Sequence, residues 1–272
     1  MTSNIAIVIS TYNNPKFLRL VLDGYRQQSD QHFKIYIADD GSTEETRELI
    51  EQYSKILPVS IEHLWHEDQG FRKARIHNIA LQHISEPYTI LTDGDCIPLS
   101  HMIATHRKFA QPNTLISGSR ILLSPNWTKQ LCATGKIPKN RVSSWFKHNM
   151  KGNINRMMPL IIPPHLSAPN QRLSGIHGCH LSCHTSDLIH INGFDESFEG
   201  WGREDSDLVA RLFHSGIKRR NLRGTPVLHL WHQENTRQHL EKNNDLLASC
   251  LDKKRVQAIK GIKQLGASKD HA

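Results

Sequence analysis

The chain has 272 residues, 38% of them hydrophobic and 22% charged. That is enough for one large or two small domains, and too apolar for bulk disorder. No run approaches the roughly 18 apolar residues of a membrane span, and the first dozen residues lack the basic start and apolar core of a signal peptide. Five cysteines, an odd number scattered along the chain, argue against a disulfide framework and for a reducing compartment, so a cytoplasmic protein with free thiols is expected. The net charge of +8 is unevenly placed, because residues 96–186 hold 11 Lys and Arg and no Asp or Glu. Such a block attracts anions: phosphate, acidic sugars or lipid headgroups.

Residues 5–9 are an apolar run that predicts a buried strand. Asn14 can cap a following helix with Pro15 in its first turn, and Phe17, Leu18, Val21, Leu22 and Tyr25 recur at helical spacing. Residues 34–38 predict a second strand, after which Ser42 and Glu45 suit a capping box for a helix burying Leu49, Ile50 and Tyr53. Residues 60–65 read as a third strand and residues 72–83 as a helix with Ile76, Ile79, Ala80 and His83 clustered. Residues 88–92 form a fourth strand that ends directly at Asp93-Gly94-Asp95. Strand alternating with helix is the signature of βαβ units, so the fold class is α/β with a mostly parallel central sheet flanked by helices.

From 111 to 173 the pattern dissolves into Pro, Asn, Ser and Lys, which predicts loops with one or two short helices on the acceptor-facing side. Residues 175–183 predict a strand, and residues 205–215 a helix with Leu208, Leu212 and Phe213 inward. Residues 240–265 read as one amphipathic helix. Its Leu247, Leu251, Ala258, Ile262 and Leu265 oppose Lys253, Lys254, Arg255, Lys260 and Lys263, and it packs on the core or, alternatively, on a membrane surface. One domain is expected, with a nucleotide-binding half (1–100), a basic acceptor-side segment (101–173), an acceptor and catalytic half (174–235) and a C-terminal helix (236–272).

In open α/β sheets ligands bind beyond the carboxyl ends of the strands. Ser10-Thr11-Tyr12-Asn13, Asp39-Asp40-Gly41-Ser42 and Asp93-Gly94-Asp95 follow strands one, two and four, so hydroxyls, an aromatic ring and carboxylates converge on one rim. Asp93 and Asp95, two apart in extended chain, project to the same side and suit a hard divalent cation against a pyrophosphate. Further on, glycines around Trp201 give a bendable loop leading into Glu204, Asp205 and Asp207. A carboxylate among carboxylates has a raised pKa and can take a proton from an attacking hydroxyl, while Trp201 offers a flat apolar face to a sugar ring. In residues 227–235 either His229 or His232 could complete a metal site. The run His177-Gly178-Cys179-His180-Leu181-Ser182-Cys183-His184 has the wrong spacing for structural zinc. On a strand Cys179 and Cys183 would share a face with His177, and the segment with Gly178 and His180 reads as a sugar-pocket wall. A nucleic-acid-binding protein is disfavoured because aromatic residues are not interleaved with Lys or Arg on any predicted strand and no recognition-helix motif appears, and a nucleotidyltransferase because Thr11-Tyr12-Asn13 replaces the glycine-rich basic loop it would want.

Taken in order, Val8-Ile9-Ser10-Thr11-Tyr12-Asn13, Ala38-Asp39-Asp40-Gly41-Ser42, Asp68-Gln69-Gly70-Phe71 with Asn78, Asp93-Gly94-Asp95, and Gly193-Phe194-Asp195 through Gly202-Arg203-Glu204-Asp205 resemble known motifs. They are those of the inverting family-2 glycosyltransferases of the GT-A fold, especially the branch of bacterial chondroitin-polymerase domains and β-1,4-galactosyltransferases. The resemblance spans most of the chain. It implies transfer of a sugar from a nucleotide-diphosphate donor, a UDP-sugar, to a hydroxyl of a cell-surface glycan or lipopolysaccharide precursor, with Mn2+ or Mg2+ as cofactor. It further implies that Thr11, Tyr12 and Asn13 line the nucleotide pocket, that Asp39 or Asp40 contacts the uracil or ribose, and that Asp93 and Asp95 form the DxD element. Asp95 would be the direct metal ligand, with His232, or His229 in reserve, completing the site. Glu204 and Asp205 would bind the acceptor hydroxyl, with Asp205 as the base. Trp201 and Gly202 would lie in the closing loop, and Asp207 would stand with the acceptor-binding carboxylates. Three positions depart from the family pattern: His77 stands where Arg usually precedes Asn78, Arg203 replaces the second glycine of Trp-Gly-Gly-Glu-Asp, and His180 replaces a common Asn. Arg72 or Arg75 is expected to supply the missing charge near the pyrophosphate. The acid-free block and basic tail suggest an anionic, lipid-linked acceptor and peripheral contact with the inner face of an anionic membrane.

Overall fold

The computed structural model describes residues 5–233 and 237–267, so Glu234 and Asn235 of the late histidine motif lie outside the described residues. Strand β1 (Ile5–Thr11) is buried at every position. Ile5, Ile7 and Ile9 enter one hydrophobic cluster and Ala6 and Val8 another, as the period of two requires in a strand covered on both faces. Asn14 accepts a hydrogen bond from the Phe17 N–H and, with Pro15, starts α1 (Pro15–Arg26) as expected. Then come β2 (Phe33–Asp39), α2 (Glu44–Ile56), β3 (Ile61–Trp65), α3 (Lys73–His83), β4 (Tyr88–Asp93) and β5 (Cys96–Ile97). They are followed by α4 (Met102–Phe109), β6 (Thr114–Ser117), β7 (Arg120–Leu122), α5 (Pro125–Thr134), α6 (Val142–Met150), α7 (Met158–Ile161) and β8 (His165–Leu166). The last elements are β9 (His180–His184), α8 (Thr185–His190), α9 (Glu204–His214), β10 (Lys218–Arg223), β11 (Val227–His229), α10 (Leu240–Asp252) and α11 (Ile262–Ala267).

Among the described residues the central sheet has the order β3-β2-β1-β4-β9-β6-β10-β8, and the first four strands are parallel. β9 runs antiparallel to both β4 and β6. The chain winds outward from β1 to β3 on one side and resumes at β4 on the other, so a crevice opens beyond the ends of β1 and β4, where α/β sheets bind ligands. A small sheet, β5-β11-β7, sits just past the end of β4. The two sides of the central sheet are covered by different helices, α1, α2, α4 and α5 on one and α3, α8 and α9 on the other.

Several local expectations are corrected. The Ser42 capping box does not form, because Ser42 Oγ accepts from Asn13 N at 2.8 Å and Ser42 N donates to Asp39 Oδ1 at 2.9 Å; Thr43 is the N-cap. His83 is exposed and sits 2.7 Å from Glu62 instead of joining the apolar face of α3. Residues 111–173 hold three helices, two strands of the main sheet, β6 and β8, and one of the small sheet, β7. The signals for α5 were local: Ser124 caps, Pro125 opens, and Gly135 closes in the left-handed conformation. β9 begins only at His180, since the preceding residues turn toward α9, and Cys179 and Cys183 fall in opposite core clusters instead of sharing a face. The tail is two helices joined by residues 253–261, not one. Ala258 and Leu265 are buried while Leu251 is exposed, and Arg255 leaves the supposed outer face to pair with Asp195 and Asp207. No described helix is long and apolar enough to cross a membrane.

Candidate active site

The crevice beyond β1 and β4 is a cleft of about 660 Å³. Ser10, Thr11 and Tyr12 line it from β1, Asp93, Gly94 and Asp95 from the end of β4, and Trp201 and Glu204 from the loop and first turn of α9. Gly94 sits tightly against β1: a Cβ there would lie 3.1 Å from Ser10 O and from Thr11 Oγ1, so its neighbours would have to give by a few tenths of an ångström. That close approach brings the two strand ends together.

Asp95, His229 and His232 form a trio whose ligand atoms all lie within 4.8 Å of one another. The arrangement is made by strand pairing, because β11 runs antiparallel to β5 with His229 opposite Cys96, and Leu230 N donates to Asp95 O at 2.9 Å. Asp95 Oδ2 is 3.1 Å from His232 Nε2 and 3.6 Å from His229 Nε2. Burial opposes the Asp95 charge, yet the hydrogen bond from His232 and the nearby imidazoles hold its pKa down at about 2. The same bond raises His232 to about 9, whereas burial lowers His229. One carboxylate and two imidazoles are a donor set that suits a divalent transition metal such as Mn2+. Asp93 stands outside the trio. Its Oδ1 accepts from Ser10 Oγ at 2.7 Å and from Lys73 Nζ at 2.6 Å.

Across from the trio, Glu204 and Asp205 open α9. Burial, then the adjacent Asp205 charge, pushes Glu204 up to about 7 against the pull of Lys73, and its Oε2 is buried with no hydrogen-bond partner among the described residues. Glu204 faces the cleft, while Asp205 is held on the other side of the turn, its Oδ2 accepting from Gly178 N at 2.9 Å. Arg203, at the family's glycine position, keeps the glycine-like backbone, with φ +78°, and its Nε donates to Asn244 Oδ1 on α10 at 2.7 Å. Gly202 lies beside it with φ +107°, its carbonyl accepting from Asn243.

The other expected residues divide clearly. Asp40 lines the cleft, accepting from Arg72 N at 2.8 Å, and Tyr12 is half exposed with its hydroxyl donating to Asp68 at 2.9 Å. Asp39 is buried and spent on Ser42 N and His63. Asn13 is a latch whose Oδ1 accepts from Thr43 N. Arg75 is turned away and paired with Glu196 at 3.4 Å, and Arg72 is paired with Glu199 at 2.7 Å, so neither reaches the cleft. Asp207 is fully buried between Arg211 and Arg255, out of reach of any acceptor. His180 is fully buried too, its Nε2 2.9 Å from His106 Nε2 and its Nδ1 directed at Ser119 O. His77 is interior, directed at Lys73 O and packed on Phe194.

Lys73, Arg120, Trp231 and Arg237 line the cleft and were not singled out from the sequence. Lys73 stands between the two arginines that were. Residues 72, 73 and 75 occupy different faces of one helical turn, and only the docking of α3 on β1 and β2 selects the one that meets Asp93.

Comparison with known proteins identifies the fold and the family. The description "Glycosyl transferase family 2" matches residues 6–160, and "N-terminal domain of galactosyltransferase" matches residues 165–233. Chondroitin synthase of Escherichia coli is 22% identical over 247 residues, covering 83% of this chain and 34% of that protein. Validoxylamine A glucosyltransferase of Streptomyces hygroscopicus is 26% identical over 234 residues, covering 78% and 52%. The chain thus spans between a third and about half of these relatives. Among solved structures, S. aureus TarS 1-349 in complex with UDP superposes with a TM-score of 0.60 at 13% identity, over 90% of this chain and 64% of that one. The mannosyltransferase PcManGT from Pyrobaculum calidifontis, in complex with GDP-Man and Mn2+, gives 0.56 at 14% over 98% and 75%. These two likenesses show the fold. With its matched segment covering more than half its length, the chain belongs to glycosyl transferase family 2.

Proposed function

We propose that this protein transfers a sugar from a nucleoside-diphosphate donor, a UDP-sugar, to a hydroxyl of a cell-surface glycan precursor, with inversion at the anomeric carbon. The observation that carries the reading is one cleft at the β1/β4 crevice flanked by the Asp95-His229-His232 trio and by the buried Glu204, with the half-buried Asp205 next to it in the chain. The bound UDP of TarS and the GDP-Man and Mn2+ of PcManGT support a nucleotide-sugar donor and a divalent cation. Asp95, His229 and His232 would hold that cation, which supplies positive charge to a diphosphate.

The chain's own groups do the rest. Thr11, Tyr12 and Asp40 form the nucleoside side of the cleft, and Trp201 covers the sugar, with the Arg237 guanidinium 5.6 Å from its ring centre. Asp205, oriented by the Gly178 N–H, accepts the acceptor's hydroxyl proton. The new C–O bond forms on the face opposite the departing diphosphate, whose developing charge is met by Lys73 and Arg120. Glu204, on the donor side, hydrogen-bonds the sugar hydroxyls.

Hydrolysis of UDP-, GDP- and dTDP-sugars by the purified protein in Mn2+, Mg2+ or EDTA tests this. We expect metal-dependent turnover of a UDP-sugar that is absent in Asp205→Asn and Asp95→Asn. Turnover indifferent to both EDTA and Asp205→Asn would overturn it.

A further inference from the structure

We propose that α6 is a membrane-docking element, inserting an apolar stripe into the surface of an anionic lipid bilayer. The helix is anchored from within: Trp145 is fully buried with its Nε1 donating to Asn140 Oδ1 at 2.7 Å, and His148 stacks on Trp127 at 4.2 Å. Its opposite side is left bare. Val142, Phe146 and Met150, four apart and therefore on one helical face, are 60%, 55% and 71% exposed. Met158 on the next helix is 61% exposed. Apolar stripes of this kind on a surface helix mark a partner, because water contact gains them nothing.

Charge identifies the partner. Lys147 and Lys151 are exposed along one edge of the stripe, and Lys136, Lys139, Arg141 and Arg156 are exposed around it. The helix sits in the middle of residues 96–186, which hold no Asp or Glu. A protruding aliphatic and aromatic stripe rimmed by lysines, in a chain segment without a carboxylate, complements a negatively charged headgroup layer over hydrocarbon. A second copy of the chain would bring the same basic rim against itself.

The patch is also tied to the cleft. Immediately after α6, Ser124 N donates to Asn153 O, Asn155 exchanges two hydrogen bonds with Leu122, and Arg156 donates to Arg120 O. Arg120 and Leu122 line the cleft, so docking through α6 would set its mouth beside the bilayer, where a lipid-linked acceptor would be presented. The docking does not depend on the sugar-transfer reading, because its test measures partitioning.

The test is co-sedimentation of the full chain with phosphatidylcholine vesicles with and without phosphatidylglycerol, for wild type and for Val142→Ser/Phe146→Ser/Met150→Ser. We expect binding only to the anionic vesicles, weakened by salt, and roughly tenfold lower partitioning in the variant at unchanged Tm. A Lys147→Gln/Lys151→Gln variant should lose severalfold. Equal binding to neutral vesicles, no binding to either, or undiminished binding by the triple variant would overturn the proposal. So would a wild-type dimer in sedimentation velocity that the triple variant dissolves, since the stripe would then be covered by a second copy.

Discussion

Glu204 and Asp205 are chain neighbours in unlike surroundings, and that difference separates their expected effects. Asp205 has its carboxylate oriented by a backbone N–H, so Asp205→Asn keeps the shape, removes the proposed proton acceptor and should lower kcat by roughly 10²–10⁴-fold at unchanged Tm. Glu204 is buried beside another carboxylate and has a folded pKa of about 7 against an ordinary value of 4.5. A carboxyl with a raised folded pKa stabilises the native state fully below its unfolded value and loses that contribution as pH rises through about 7. Glu204→Gln should therefore raise Tm relative to wild type above pH 7, and the gain should vanish in acid; thermal melts in EDTA across pH read this directly. An advantage that grows toward low pH would refute the assignment. The carboxylates themselves were legible in the sequence, but their division of surroundings was not, since it depends on where residues 174–179 and Lys73 come to rest.

At the scale of elements, the position of α9 is fixed by charges the cleft never sees. Asp207 and Arg211 are fully buried one turn apart. Arg211 donates to Asp207 and to the carbonyls of Ile191 and Gly193, and Arg255 from the tail bridges Asp207 and Asp195. Breaking such a network strands a buried guanidinium, so Asp207→Ala should cost about 3–5 kcal/mol in urea unfolding and loosen the C-terminal segment to proteolysis. A loss below about 1 kcal/mol would return Asp207 to the role of an acceptor contact. The sequence shows an acidic helix start equally in Glu204, Asp205 and Asp207; the helical period turns Asp207 inward, and the tail supplies a cation that lies 48 residues away. The capping box at Ser42 fails because Asn13, just past β1, and Asp39, at the end of β2, take up its hydroxyl and its N–H.

Across the whole molecule, three histidines are buried as neutral rings: burial depresses His77 and His180 to about 4 and holds His106 well below the ordinary imidazole value. His180 Nδ1–H donates to Ser119 O, so its Nε2 accepts from His106 Nε2–H, and His106 Nδ1 in turn accepts from Ser182 Oγ. A proton added to either ring sets two donors against each other. With folded pKa values below the ordinary 6.5, these groups give full stability above that value and lose it as pH falls toward 4. Unfolding free energy should therefore drop between pH 6.5 and 4, with a shallower slope in His180→Asn; a flat profile would contradict the buried neutral rings. The sequence by itself determined the βαβ half, the carboxylates at the strand ends and the family, because strand periodicity, caps and the motifs after strands are local. Only the tertiary structure brought both His229 and His232 to Asp95, where the sequence names one with the other in reserve, chose Lys73 over Arg75, and gave Asp39, His180 and Asp207 an interior place. Those choices rest on β5–β11 pairing and helix docking, contacts between residues far apart in the chain, which no local pattern encodes.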